Sequence, residues 1–428
     1  MKIIAAVCAI TALLSGTAFT ITLDEAIKRA VEGSYLLKEQ QEIVKSSRFS
    51  YISTIDPYLP RVDIQSSYIR SLNSKDSVSS YSRFSSASDV GSSLDAYTFA
   101  GSVSLRIFDG GERYAKRKGS YSLLEREQER YKGIRQDVIF SIKSAFYTAL
   151  GSKLIVERRR EAFDTADRIY KLTLARYREG ITKKSDVLQA EVRMTTSKID
   201  VQRAEREYEK ALEDLKSLIF MKTEDKTDAE GILTEPGFRA DYERLNETAI
   251  RMKPEIITQE KEIERLNMVY VEKRSAWFPR IDTELQQTRQ DKRFFPEGRS
   301  DSFMINFTFP IFDGVGRYYN MQGALSNVSA AKQRLEETKR TVSLDIIKAI
   351  KDYELTLANV SLYKELVREA TTTFNQLLGE YRVGKGDILS LLQSEKDLAS
   401  AKENEVAALY RANVALSYLE KVAYIHDK

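Results

Sequence analysis

The stretch YTFAGSVSLRIFDG runs from Tyr97 to Gly110, and FMINFTFPIFDG runs from Phe303 to Gly314. In the first, Tyr97, Phe99, Val103, Leu105 and Ile107 alternate with Thr98, Ala100, Ser102, Ser104 and Arg106. In the second, Phe303, Ile305, Phe307, Phe309 and Ile311 alternate with Met304, Asn306, Thr308 and Pro310. A period of two puts the apolar side chains of each run on one face of a β-strand. The preceding segments, Val62-Ile64-Ser66-Tyr68 and Ile281-Thr283-Leu285-Gln287, alternate less cleanly and complete two hairpins. Runs of about 9–11 residues are long enough to cross a bilayer as tilted strands. Tyr58, Trp277 and Phe278 stand just before the strands, where an interfacial aromatic girdle belongs. The apolar rows are therefore expected to face lipid. A soluble hairpin packed on helices is the competing reading of either hairpin taken alone.

Both runs close on Phe-Asp-Gly, at Phe108-Asp109-Gly110 and Phe312-Asp313-Gly314, a shift of 204. The same shift, without a gap, carries Arg113 to Arg317, Gly119 to Gly323, Tyr177-Arg178 to Tyr381-Arg382 and Gly180 to Gly384. Upstream, Leu59-Pro60-Arg61 matches Phe278-Pro279-Arg280 at a shift of 219. The extra residues of the first copy fall between Ser71 and Ser93, where 11 of 23 residues are serine, and read as a solvated loop. The chain thus reads as a duplication, with halves 19–240 and 241–428. Each half has a helix of about thirty residues ending near a proline, a hairpin and a Phe-Asp-Gly turn. A very long helix follows, broken once at Tyr-Arg-x-Gly before a final helix.

No proline occurs from Gly110 to Glu235 or from Ile311 to Lys428, as such helices require. Ile350, Tyr353, Leu357, Val360, Tyr363, Val367, Ala370, Phe374 and Leu377 step by three and four, an apolar stripe on one helix face. Val201, Ala204, Tyr208, Ala211, Leu215 and Leu218 form a heptad seam, matched in the second half by Ala408, Ala412, Ala415, Leu419 and Val422. Residues 110–177 as one helix would extend roughly 100 Å.

With 67 Lys+Arg against 63 Asp+Glu, the net charge of +4 is small for 428 residues, so a nucleic-acid partner is not expected. One histidine, His426, and one cysteine, Cys8, leave little for metal or nucleophile chemistry. No local arrangement singles out an acid–base pair, and no G-x-x-x-x-G-K-[ST] loop occurs. No catalytic, cofactor-binding or metal-binding residue is assigned, and an enzyme is not expected. Lys2, the apolar run Ile3 to Leu14 and the small residues Ser15 to Ala18 describe an export signal over 1–18, which would remove Cys8. No later stretch approaches the ~20 apolar residues of a spanning helix. Four strands cannot close a barrel, since small barrels need about eight. Open edges in hydrocarbon leave amides without partners, so the chain is expected to oligomerise.

With the halves laid out, the chain resembles the outer membrane efflux proteins of the TolC type over essentially all of 19–428. Leu23-Asp24-Glu25-Ala26, Pro60 and Pro279 before the strands, and the two Phe-Asp-Gly turns carry the resemblance. The Tyr-x-x-Gly breaks, followed by Asp186-Val187-Leu188 and Leu391-Leu392, complete it. The resemblance implies an α+β membrane protein: a homotrimer closing one 12-stranded β-barrel in outer-membrane lipid, continued by a periplasmic α-helical barrel. It further implies a passive exit duct of a tripartite efflux or secretion system, gated at its periplasmic end. The partners would be a periplasmic adaptor (membrane fusion protein) and an inner-membrane transporter. A soluble periplasmic coiled-coil scaffold or adaptor is the rival reading.

On the residues alone, Gly180 and Gly384 end helices, because glycine takes the left-handed cap conformation without steric cost. The resemblance adds that Tyr177, Gly180, Tyr381 and Gly384 mark periplasmic tips that meet the adaptor. Asp109 and Asp313 read as helix N-caps, with Gly110 and Gly314 allowing the sharp strand-to-helix turn. The resemblance places the tunnel entrance at Asp186, Asp387, Ser390 and Gln393. Relatives carry interior carboxylates where this chain has Ser390 and Gln393, which argues against an acidic ring there. Asp186 matches an acidic position that relatives use in closed-state contacts; a solvated helix carboxylate is the competing reading. Lys183, Lys184 and Lys385 make both tips basic.

Overall fold

A computed structural model describes residues 19–71, 94–222, 224, 227–291 and 293–425. The expected export signal, the serine-rich segment after Ser71, Cys8 and His426 lie outside the described residues. Strand β1 (Phe19–Ile21) is followed by α1 (Leu23–Gly33), α2 (Tyr35–Ser53), β2 (Arg61–Ser71), β3 (Leu94–Phe108), α3 (Glu112–Arg178) and α4 (Lys184–Leu218). The second half adds β4 (Thr227–Ala229), α5 (Tyr242–Met252), α6 (Pro254–Ser275), β5 (Arg280–Asp291), β6 (Arg299–Thr308), α7 (Gly316–Arg382) and α8 (Ile388–Ala423). These bounds keep the two offsets seen in the sequence. Leu23, Gly33 and Tyr35 go to Tyr242, Met252 and Pro254 at 219, and the 67-residue helices α3 and α7 begin and end 204 apart.

The chain divides into two compact units. One holds residues 43–128 and 258–335, and its centre is a four-stranded antiparallel sheet in the order β2-β3-β5-β6. Phe309 and Ile311, expected in the last strand, lie beyond β6, which ends at Thr308. Pro310 between them has no N–H to donate to a ladder. Helix segments of this unit pack through Ala115, Leu124, Ala324, Val328 and Ala331. Arg126 adds an ion pair to Glu262 at 2.6 Å, and Lys261 one to Glu125 at 3.2 Å.

The other unit holds residues 1–42, 129–257 and 336–428. One of its cores gathers Ile21, Ala26, Ala30, Ile142, Phe146, Ala149, Leu150, Ala211 and Leu215, with β1 pairing parallel to β4. By length and composition α3 does contain a stretch apolar enough to cross a bilayer, contrary to expectation; in this unit α3 contributes its apolar residues to the core. The α7 stripe is buried or half-buried throughout, and Val360 packs on Ala408 and Ala412 of α8. The α4 seam holds to Leu215, but Ile219, not Leu218, is the buried residue that follows. The single opening helix expected in each half is in fact two. Ser34 interrupts the first, and its Oγ accepts the Leu37 N–H at 3.3 Å. Lys253 interrupts the second ahead of Pro254, which has no N–H and suits a helix start.

Candidate functional site

Pairing register assigns the paired strand residues to two sheet faces; Ile107, expected in the lipid-facing row, falls in a register shift between Arg106 and Phe108, outside the β3–β5 pairing. Val62 lies opposite Val103, Val103 opposite Leu285, and Leu285 opposite Phe303, giving one apolar row across all four strands. The adjoining row of the same face is Leu105, Thr283 and Ile305; the one beyond includes Ile281 and Phe307. Val62, Leu285, Phe303, Ile305 and Phe307 are open to the surroundings, Phe303 at 67%, while Leu105, Thr283 and Ile281 are half-buried. Tyr68 stacks on Tyr97 at 4.7 Å on this face, and Phe294 meets Tyr97 edge-on at 5.6 Å. The opposite face carries Gln65, Ser67, Thr98, Ser102, Gln286, Thr288, Ser302 and Asn306, with Arg106 paired to Asp282 at 3.0 Å. One side of the sheet is built for hydrocarbon and the other for water.

The strand-to-helix turns hold a motif whose main actor the sequence pointed to only as a repeat match. Asp109 accepts the N–H groups of Gly111 (3.0 Å) and Arg113 (3.2 Å), which makes it the expected cap. It also accepts Arg113 Nε at 2.7 Å. The Arg113 guanidinium donates to the carbonyls of Pro57, Arg106 and Ile107 and lies 4.7 Å above the Tyr58 ring. In the second half Arg317 donates to Asp313 (2.6 Å) and to the carbonyls of Ala276 and Pro310, and lies 4.9 Å over Trp277. Each arginine ties three segments: the turn before the hairpin, the end of its last strand, and the start of the long helix. Gly110 (φ +65°) is crowded as well as left-handed, since a methyl group there would lie 2.6 Å from Phe278 Cβ. Gly314 (φ +89°) has open space around it.

The breaks at Gly180 and Gly384 form equivalent caps. Gly180 N–H donates to Tyr177 O and Ile181 N–H to Arg176 O, both at 2.9 Å. Gly384 N–H donates to Tyr381 O (3.1 Å) and Lys385 N–H to Glu380 O (2.9 Å). Both glycines sit at positive φ, +73° and +81°, as this helix-ending motif demands. The two breaks lie side by side. Arg176 donates to the Tyr381 and Arg382 carbonyls and covers the Tyr381 ring, whose hydroxyl donates to Thr173 Oγ1 at 3.1 Å. Tyr177 is 41% exposed and Tyr381 only 3%, so the paired tyrosines do different work.

Beyond the breaks, Asp186 accepts Thr182 Oγ1 (2.5 Å), Ser185 Oγ (3.2 Å) and Lys183 N–H (3.4 Å). These bonds, the Thr182 hydroxyl foremost, hold its carboxyl below the ordinary aspartate range. Asp387 caps α8, accepting Ser390 Oγ (2.6 Å) and Ser390 N–H (3.0 Å), and is shifted down for that reason. Ser390 and Gln393 are exposed, and Gln393 donates to Asp397. An open, mainly apolar groove of about 490 Å³ beside the breaks is lined by Leu188, Val192, Leu389 and Leu392. Arg193 also lines this groove, and its Nε donates to Glu395 Oε2 at 2.5 Å between α4 and α8. Glu395 is 2% exposed, its Oε1 lacks a partner among the described residues, and burial pushes its carboxyl above the usual range. No group of His, Cys, Asp and Glu suited to a metal occurs among the described residues.

A two-faced sheet joined by arginine-pinned turns to very long paired helices defines a β-strand membrane module with a helical extension. Comparison places it: residues 26–219 and 245–423 match the family described as Outer membrane efflux protein, and the chain belongs to that family. It is therefore an outer-membrane protein of the efflux channel type, with a periplasmic helical part. Protein CyaE of Bordetella pertussis is 23% identical over 330 residues, covering 74% of this chain and 68% of that protein. The CmeC outer membrane channel of Campylobacter jejuni superimposes with a TM-score of 0.82 at 15% identity, over 94% of this chain and 85% of the other. The outer membrane protein VceC of Vibrio cholerae gives 0.80 at 15% identity, over 94% and 95%. At these identities the structural likeness speaks for the fold.

Proposed function

We propose that this chain is the outer-membrane exit duct of a tripartite efflux or secretion system. Three copies close a 12-stranded barrel, and the helices continue it as a periplasmic tunnel. The channel is passive; adaptor and transporter contacts at the helix breaks around Tyr177, Gly180, Tyr381 and Gly384 open it. The observation that carries this reading is the sheet itself, exposed and apolar on one face, polar on the other, with both edges unpaired among the described residues. A soluble scaffold is not favoured, since it would leave that apolar face in water at a cost of about 25 cal/mol per Å².

Fractionation with a salt and carbonate wash, followed by planar-bilayer recording, tests the proposal. The duct is retained in outer membranes and gives discrete conductance steps; a protein that washes off and conducts nothing is no duct. Gly384→Val tests the gating end. Valine is strained at positive φ, by about 1–2 kcal/mol, and export is expected to fall while membrane retention is unchanged. Unaltered export together with unaltered adaptor crosslinking would remove the docking role from this break.

A further inference from the structure

The face of the sheet assigned to lipid carries two arginines that oppose each other. Arg289 of β5 lies directly opposite Arg299 of β6, four residues beyond Leu285 and four before Phe303, so both project on the apolar side. Like charges directly opposite on a ladder destabilise it. One carboxylate answers the pair. Asp301 accepts Arg299 Nε at 2.9 Å and Gln287 Nε2 at 3.0 Å, and a second Arg299 nitrogen lies 2.8 Å from it. Arg289 makes no ion pair among the described residues, and its neighbour across on β3 is Phe99. Arg293 in the β5–β6 turn adds an exposed guanidinium, while Asp291 and Glu297 are the other acidic residues of this end.

The strand sets the depth of the pair. Eight residues separate Ile281 from Arg289, about 27 Å along the strand and about 21 Å along the bilayer normal at the usual tilt of about 40°. An apolar band is about 25 Å tall, and Tyr58, Trp277 and Phe278 stand at its end nearest the helices. The arginines therefore stand at the far end, among the headgroups of the outer leaflet. Aromatic side chains gather at the same end: Tyr68 stacks on Tyr97, Phe294 meets Tyr97, and Phe295 meets Phe294 edge-on at 4.9 Å. Phe294 and Phe295 are 60% and 79% exposed, an apolar pair on a turn that otherwise faces water. We propose that Arg289 and Arg299, with Phe294 and Phe295, bind the phosphorylated glucosamine headgroup of an outer-leaflet glycolipid of the lipid A type. A phosphate between the guanidiniums removes their repulsion and accepts from both forks. The acyl chains lie along Leu285 and Phe303, and the sugar covers the two phenylalanines. This rests on the lipid-facing assignment within the duct reading and on none of the duct's partners.

Native mass spectrometry of the detergent-purified protein tests the site, with lipid A, dephosphorylated lipid A, phosphatidylglycerol and inorganic phosphate as separate probes. Lipid A is expected to bind at least about tenfold more tightly than the other three. Arg289→Gln with Arg299→Gln is expected to abolish that preference, and Phe294→Ser with Phe295→Ser to weaken it, whereas Arg61→Gln on the polar face leaves it unchanged. Thermal melts separate binding from a merely structural role. Without lipid A the double glutamine variant is expected to melt no lower than wild type, since the repulsion is gone, and only wild type gains stability when lipid A is added. Lipid A binding retained by the double glutamine variant overturns the site. So does phosphatidylglycerol or inorganic phosphate binding as tightly as lipid A, the behaviour of an unspecific anion patch. Bilayer recording on the same preparations keeps the two readings apart. Conductance steps from a protein indifferent to lipid A overturn the site and leave the duct standing; arginine-dependent lipid A binding by a protein that conducts nothing supports the site and removes the duct.

Discussion

Arg113 and Arg317 show why side-chain chemistry at a turn exceeds what spacing reveals. An Asp followed four residues later by Arg suits a helix start, yet the arginine's carbonyl partners lie in segments distant in sequence and become visible only in three dimensions. A planar guanidinium satisfies several acceptors and an aromatic face at once; an ammonium cannot. Arg113→Lys is expected to lower stability by about 2 kcal/mol in urea unfolding, with the largest rise in hydrogen exchange at residues 106–113. Asp387 provides a pH test. Its folded carboxyl is held below the unfolded value by Ser390, so its contribution is present above the unfolded value and is lost as pH falls through the folded one. Asp387→Asn keeps a capping oxygen without titrating. Wild type is expected to lose stability relative to Asp387→Asn on acidification below the ordinary aspartate range, measured by thermal melts across pH; parallel curves would remove Asp387 from the cap's energetics.

Long elements were the most legible. Helices without proline, their three–four stripes, the glycine breaks and the alternating strands all follow from local patterns that the fold preserves. What escaped reading depended on partners. The split at Ser34 follows from a single hydroxyl cap, the three-residue β1 pairs with β4 across the sequence, and Ile219 supplants Leu218 where the seam ends at a turn. Nothing in the sequence sets Glu395 apart from the chain's other carboxylates, and its burial at 2% exposure depends on how α8 packs on α4. It joins α8 to α4 through Arg193, whose side chain is also largely buried. Removing one member of such a pair strands the other charge. Glu395→Ala is expected to cost about 3 kcal/mol, and the joint Arg193→Met, Glu395→Leu change is expected to recover most of it. Urea titration of the single and double variants measures both, and additive losses would show that the two residues are not coupled.

At the scale of the whole molecule, membrane residence depends on which sheet face meets lipid, and neighbouring residues of one strand decide it. Ser102 and Val103 share the same depth and the same hydrogen-bonded ladder but point to opposite sides. A charge on the lipid side near the bilayer midplane costs about 2–4 kcal/mol per chain, and in the proposed trimer every copy bears that cost. In the proposed duct the same charge on the other side stays hydrated and adds one positive group per copy to the channel wall. Val103→Arg is therefore expected to reduce the protein recovered in carbonate-washed outer membranes several-fold. Ser102→Arg should be recovered at the wild-type level and shift the reversal potential in a salt gradient toward anions. The pair separates the face assignment from any general intolerance of arginine in β3, because both variants carry the same side chain one residue apart. If Val103→Arg inserts and alters ion selectivity while Ser102→Arg fails to insert, the apolar row lines the channel and the polar row meets lipid, the inverse of the assignment argued from the pairing register.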